Sequence, residues 1–268
     1  MIKFIQYIRW LSLGIPTGAI CVLGLVASEL KVVIPSPVYP ALFAAVWFIY
    51  LFDHWWDIRR KKPITERRKF HHQYNLLLIL LMVLCVIIGV YALTELYPPG
   101  LRIIIITRGL TLSIACGIYL IASQWLGKQW LKEVCVAVNY ALGIMLVPLT
   151  LAGDQTLWII TLQIFLLALV NLLTFSVFEI EEDNAEGFHS IATQLGTRTC
   201  AMITSLVLLV LWTSLLLVKL PIAIEVFMAI GGLTYAVMYA FPHFFANRER
   251  FRIFGDAIFL MAALFLLL

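Results

Sequence analysis

Charge is scarce in this chain. Asp, Glu, Lys and Arg supply 13% of its 268 residues, apolar types supply 63%, and the mean hydropathy is +0.99. A soluble domain carries about 25% charged and roughly 45–50% apolar residues, so a water-soluble fold is excluded. Cysteine is scarce as well. The five present, Cys21, Cys85, Cys116, Cys135 and Cys200, fall in or beside apolar runs with no CxxC or metal-ligand spacing. That excludes a disulfide framework and a zinc site, and leaves them as small buried hydrophobes. Long polar stretches are missing too, so no sizeable soluble domain accompanies the apolar part, and nothing points to nucleic acid or to a protein partner.

What is there is a series of apolar runs, near residues 10–29, 38–56, 75–96, 102–123, 131–151, 156–178, 200–218, 221–241 and 251–268. Each is close to the roughly 20 residues needed to cross a bilayer. The sequence therefore predicts an all-α integral membrane protein, one domain over residues 1–268, with nine transmembrane helices. The run from Trp10 to Ser28 is longer than the core of a signal peptide and reads as the first span. Proline, glycine and charge punctuate the rest, as at Pro98-Pro99-Gly100, Gly153-Asp154 and Lys219-Pro221.

Lysine and arginine set the orientation. With a cytoplasmic N-terminus, 15 of the 19 fall on the cytoplasmic side, leaving only Lys31, Arg102, Arg108 and Lys219. That bias fits the positive-inside rule, and the inner membrane of a bacterium is the expected location. The connections after spans two, four, six and eight then share one compartment.

Two of those connections carry paired carboxylates. Asp53 and Asp57 end the second span in YLFDHWWDIRRKKP, and Glu179 and Asp183 follow the sixth in FSVFEIEEDNAEGFH. Residues four apart on a helix lie one turn above each other on one face. Each pair can thus offer oxygen ligands to a hard divalent cation, Mg2+ being the best match because it keeps water and bridges carboxylates to phosphate. About 126 residues separate Asp57 from Asp183, which predicts two four-helix pseudo-repeats plus one helix. Few residues precede Asp53 after Pro40, so this carboxylate is expected inside the nominal bilayer, facing a wet cavity or a cation.

Basic residues follow the first pair and begin the fifth span, as a phosphate-binding site would need. Arg68, Lys128 and Lys132 are the candidates for diphosphate oxygens. Asn139, two turns beyond Lys132, and Asn171 are polar groups in apolar spans, suited to interhelical hydrogen bonds or to a cavity. Glu181, Glu182 and Glu186 read as a solvated face, Arg252 and Asp256 as an i,i+4 ion pair, and Glu95 as the partner of Arg108.

The stretch from Phe175 to Gly196 resembles the second aspartate-rich motif of the UbiA-type intramembrane prenyltransferases, including Gly187, Ser190, Ala192 and Leu195-Gly196. The segment from Ile49 to Pro63 is similar to their first motif. The resemblance implies nine helices around a central cavity, with Asp53, Asp57, Glu179 and Asp183 as the catalytic, Mg2+-binding carboxylates. It also implies an isoprenyl diphosphate as donor and a lipophilic acceptor, aromatic or quinone-precursor in type, alkylated within the membrane. Two positions depart from the motif: Ile49 and Phe175 stand where an asparagine is usual, and Glu179 stands for an aspartate. A fold that has lost the reaction, and a cation-coupled transporter, are the competing expectations.

Overall fold

The computed structural model describes residues 2–60, 64–125 and 132–267, and among these every regular element is helical. Among the described residues seven helices are long and apolar enough to cross a membrane: α3 (Val38–Arg60), α5 (Asn75–Thr94), α6 (Pro99–Trp125), α7 (Lys132–Leu151), α8 (Gln155–Phe178), α11 (Thr197–Leu217) and α12 (Ile222–Ala240). They fit an integral membrane protein. The first and last expected spans are shorter. The first is broken after α1 (Ile2–Trp10), where Ser12 takes a positive φ, and resumes as α2 (Gly14–Glu29). The last is α14 (Arg250–Phe265). At 16 residues each, these two helices reach about 24 Å.

Short helices sit in the connections. These are α4 (Glu66–Gln73), α9 (Ile180–Glu186), α10 (Ile191–Leu195) and α13 (Pro242–Ala246). Their ends are set by local chemistry. The Thr65 side chain accepts from the Arg68 N–H to cap α4, and Ser190 and Thr193 form a reciprocal capping box on α10. Gly187, at φ 70°, supplies the left-handed residue that stops α9.

The centre is α8. Its sequence is apolar all round, and 61% of its apolar window is buried by neighbours, against 17% for α5 and none for α6. It packs against α7, α11, α12 and α14. Helices α2 and α14 pack tightly together, close enough at Gly18 that a Cβ there would lie 2.7 Å from Phe259 Cβ. Helices α5 and α6 lie outside, their exposed Leu80, Ile87, Ile114 and Ile118 forming the kind of surface that faces lipid. Helix α3 joins the two parts: with α5 it buries a separate small core of Trp47, Leu51, Leu78 and Met82, and it also contacts α2 and α7.

Candidate functional site

Helix α3 runs unbroken through both acids of the first pair to Arg60, so Asp53 and Asp57 keep the one-turn spacing. The second pair spans a joint. Glu179 is the residue between α8 and α9, yet the Asp183 N–H still donates to the Glu179 carbonyl at 2.8 Å, so the helical register carries across.

Each acid except one is held by a cation from another element. Lys132 Nζ lies 3.2 Å from Asp53 Oδ1, and Arg252 of α14 lies 2.6 Å from Glu179 Oε1. Arg68 of α4 is 3.7 Å from Asp183 Oδ1, forms an ion pair with Glu186, and stacks its guanidinium 3.9 Å over the Phe188 ring. Asp57 has no hydrogen bond or ion pair among the described residues. Arg67 also lacks such a partner, and it sits within electrostatic reach of Asp57 on one side and of Glu179 and Asp183 on the other. Arg67 and Arg68 of α4 thus lie within electrostatic reach of an acid from each pair, and together these side chains make up one charged basin.

The basin's electrostatics follow from crowding. Burial first, and then the negative charge of Glu179, push the Asp183 carboxyl above its usual range, against a hydrogen bond from Ser190 and the nearby Arg68 and Arg67. Burial also raises Glu182, opposed by Arg252. Arg67 is lowered to about 10 by burial and by the like charges of Arg252 and Arg68, with Glu179 and Glu249 opposing.

Several of the residues that build this basin carry no motif signal. Glu186, read from sequence as a solvated side chain, is buried. It pairs with Arg68, and its Oε1 accepts from the backbone N–H groups of Ile64 and Thr65, at 2.9 and 2.8 Å, so α9 holds the start of α4. Glu133, also buried, accepts from the Ile191 N–H at 2.9 Å and fixes α10 to the start of α7. Arg252 pairs with Glu179 and, at 3.8 Å, with Glu249, and not with Asp256 as the i,i+4 spacing suggested. Arg108 donates to the Thr150 hydroxyl at 2.8 Å and not to Glu95.

Of the remaining expected residues, Lys128 lies outside the described residues. Asn139 bonds within its own helix, its Nδ2 donating to the Cys135 carbonyl at 2.9 Å. Asn171 faces inward, and lines a cavity of about 20 Å³ beneath the basin together with Tyr50, Tyr140 and Asp256.

Among the described residues no group of three or more His, Cys, Asp and Glu side chains converges as a ready metal cage. The donor chemistry still suits magnesium: Asp57 is unpartnered and the cation on Asp183 is long at 3.7 Å, so these two carboxylates have oxygens to offer a hard ion. Comparison of the chain with protein-family models, with curated proteins and with solved structures gave no match.

Proposed function

We propose that this chain is a magnesium-dependent prenyltransferase of the UbiA type, moving an isoprenyl group from its diphosphate to a lipophilic acceptor within the membrane. In this reading α2 and α14 complete a set of nine spans, and the two halves each contribute one acidic pair. The basin opens to the cytoplasmic side of a bacterial inner membrane. The observation that carries the proposal is that Arg67 and Arg68 lie within electrostatic reach of both Asp57 and Asp183. Carboxylates and arginines within reach of one another complement a metal-bound diphosphate, whereas either set alone would be left with uncompensated charge.

The roles follow from the side chains. Asp57 and Asp183, with Asp53 and Glu179 beside them, would hold Mg2+, which when bound supplies Lewis-acid stabilisation of the leaving diphosphate. Arg67, a planar donor without a carboxylate of its own among the described residues, would bind phosphate oxygens bidentately. Lys132 would exchange its Asp53 contact for phosphate. Negative charge growing on the leaving group would meet these donors already in position, which is where most catalytic stabilisation arises. The apolar helix walls would take the isoprenoid tail.

A second reading has one observation in its favour. Asp53, Glu179 and Asp183 each have a resident cation, as in a fold that has kept its charges for stability and lost its reaction. Purified protein given a short isoprenyl diphosphate separates the two. The prenyltransferase reading expects Mg2+-dependent release of diphosphate that is lost in Asp57→Asn and Asp183→Asn. No release by the wild-type protein at any Mg2+ concentration leaves the second reading.

A further inference from the structure

The helices that build the basin also build what lies beneath it. Asp256 is four residues past Arg252 on α14, Tyr50 three before Asp53 on α3, Tyr140 eight past Lys132 on α7, and Asn171 eight before Glu179 on α8. These four side chains line the cavity of about 20 Å³, which has room for one water-sized particle. Its other walls are apolar, Ile15, Ala137 and Phe259 among them. Gly255 allows the close approach, since a Cβ there would lie 2.8 Å from Asn171 Oδ1.

The polar groups in this cavity are short of partners. Asn171 Oδ1 and the Tyr140 hydroxyl are buried and without a hydrogen bond among the described residues. Asp256 has no hydrogen bond or ion pair among the described residues, because Arg252, the cation spaced to reach it, is engaged by Glu179. Asp256 is half-buried, and a carboxylate among apolar walls is costly unless it is paired or coordinates an ion.

We infer that the cavity binds a single monovalent alkali cation, with sodium the match in size. Every polar donor is an oxygen, which selects a hard ion, and one carboxylate balances one positive charge. Magnesium holds its water shell strongly and is commonly held by more than one charged oxygen, whereas a single carboxylate lines this site. The charged groups within electrostatic reach of Asp256 are Arg252, Arg9, Glu179 and Arg67. Arg252 and Arg9 are offset by Glu179 and Glu249, so they do not take up the cavity side of Asp256. An ion there would tie α3, α7, α8 and α14 together under the basin, independently of any diphosphate chemistry.

The test uses the full chain in detergent or nanodiscs, with EDTA present and ionic strength fixed by choline chloride. Sodium should raise the unfolding midpoint saturably, by roughly 3–6 °C at ten times its dissociation constant, and radioactive sodium should bind once per chain. Asp256→Asn should lower sodium affinity at least tenfold. Tyr140→Phe, which removes one oxygen and keeps the ring, should lower it several-fold and carries the test if Asp256→Asn does not fold. Equal midpoints in sodium and choline would mean a buried water only and overturn the inference. So would sodium affinity unchanged in both variants, or lost in Asp57→Asn, which would move the ion to the basin.

Discussion

Glu186 of α9 and Arg68 of α4 form an ion pair in which the glutamate side chain is fully buried and the arginine 11% exposed. Through it the segment after α3 is bound to the segment after α8, two stretches more than a hundred residues apart. Glu186 also accepts from two backbone N–H groups at the start of α4, so one carboxylate sets the position of both arginines in the basin.

Removing half of a buried pair strands the other charge, at a cost of about 3–5 kcal/mol. Glu186→Ala should therefore lower the unfolding midpoint in detergent by on the order of 10 °C. The exposed Lys69–Glu66 pair of the same helix is the control, and Glu66→Ala should leave the midpoint nearly unchanged. Equal effects of the two substitutions would show that Glu186 does not hold α4.

Lys132 and Asp53 behave differently, since their side chains are 40% and 44% exposed. Solvent screening makes such a pair worth about 1 kcal/mol or less. Lys132→Met should keep the fold, with a midpoint within about 4 °C of wild type. Mg2+-dependent diphosphate release should fall about tenfold or more if Lys132 binds phosphate.

His71 gives a pH dependence with a definite sign. Its ring, 1% exposed, donates from Nε2 to the Trp10 carbonyl at 2.7 Å and stacks on His54 at 4.4 Å. Burial lowers it from 6.5 to about 4, helped by Arg67 and Arg68 and opposed by the Trp10 carbonyl. Between those values the unfolded chain binds the proton and the folded one does not. The contribution is thus fully present above pH 6.5 and is lost as pH falls towards 4, on the order of 3 kcal/mol in all. Asp183 and Glu182 are raised, so their contributions run the opposite way and fade as pH rises. Comparison with His71→Gln, which can keep a donor to Trp10, isolates the histidine: the fall in midpoint between pH 6.5 and 4 should be shallower in the variant.

The glycines divide by what surrounds them. A Cβ at Gly18 would lie 2.7 Å from Phe259 Cβ and 3.4 Å from its backbone carbon, whereas one at Gly109 meets nothing within 4 Å. Gly18→Ala should cost roughly 1–3 kcal/mol as α2 and α14 are forced apart. Gly109→Ala, on the outer face of α6, should be neutral or gain up to about 1 kcal/mol from helix propensity. Thermal unfolding of the two variants side by side checks the α2–α14 contact.

Hydropathy alone located the seven membrane-length helices found among the described residues, because burying a backbone in lipid demands about 20 apolar residues with all their hydrogen bonds satisfied internally, and that requirement is written into composition. The paired carboxylates were legible for a related reason: charge is so costly in apolar helices that Asp53, Asp57, Glu179 and Asp183 stand out one by one. What sequence could not settle was partnership. Spacing along α14 offers Asp256 to Arg252, and only the packing of α14 on α8 gives that arginine to Glu179 and leaves Asp256 facing a cavity with Asn171. Glu186 looked like one more solvated acid until the fold placed the start of α4 against it. Local periodicity fixes which face of a helix a residue occupies. Which charge meets which is decided by contacts between helices distant in the chain, and it was these that brought the arginines of α4 within reach of both Asp57 and Asp183.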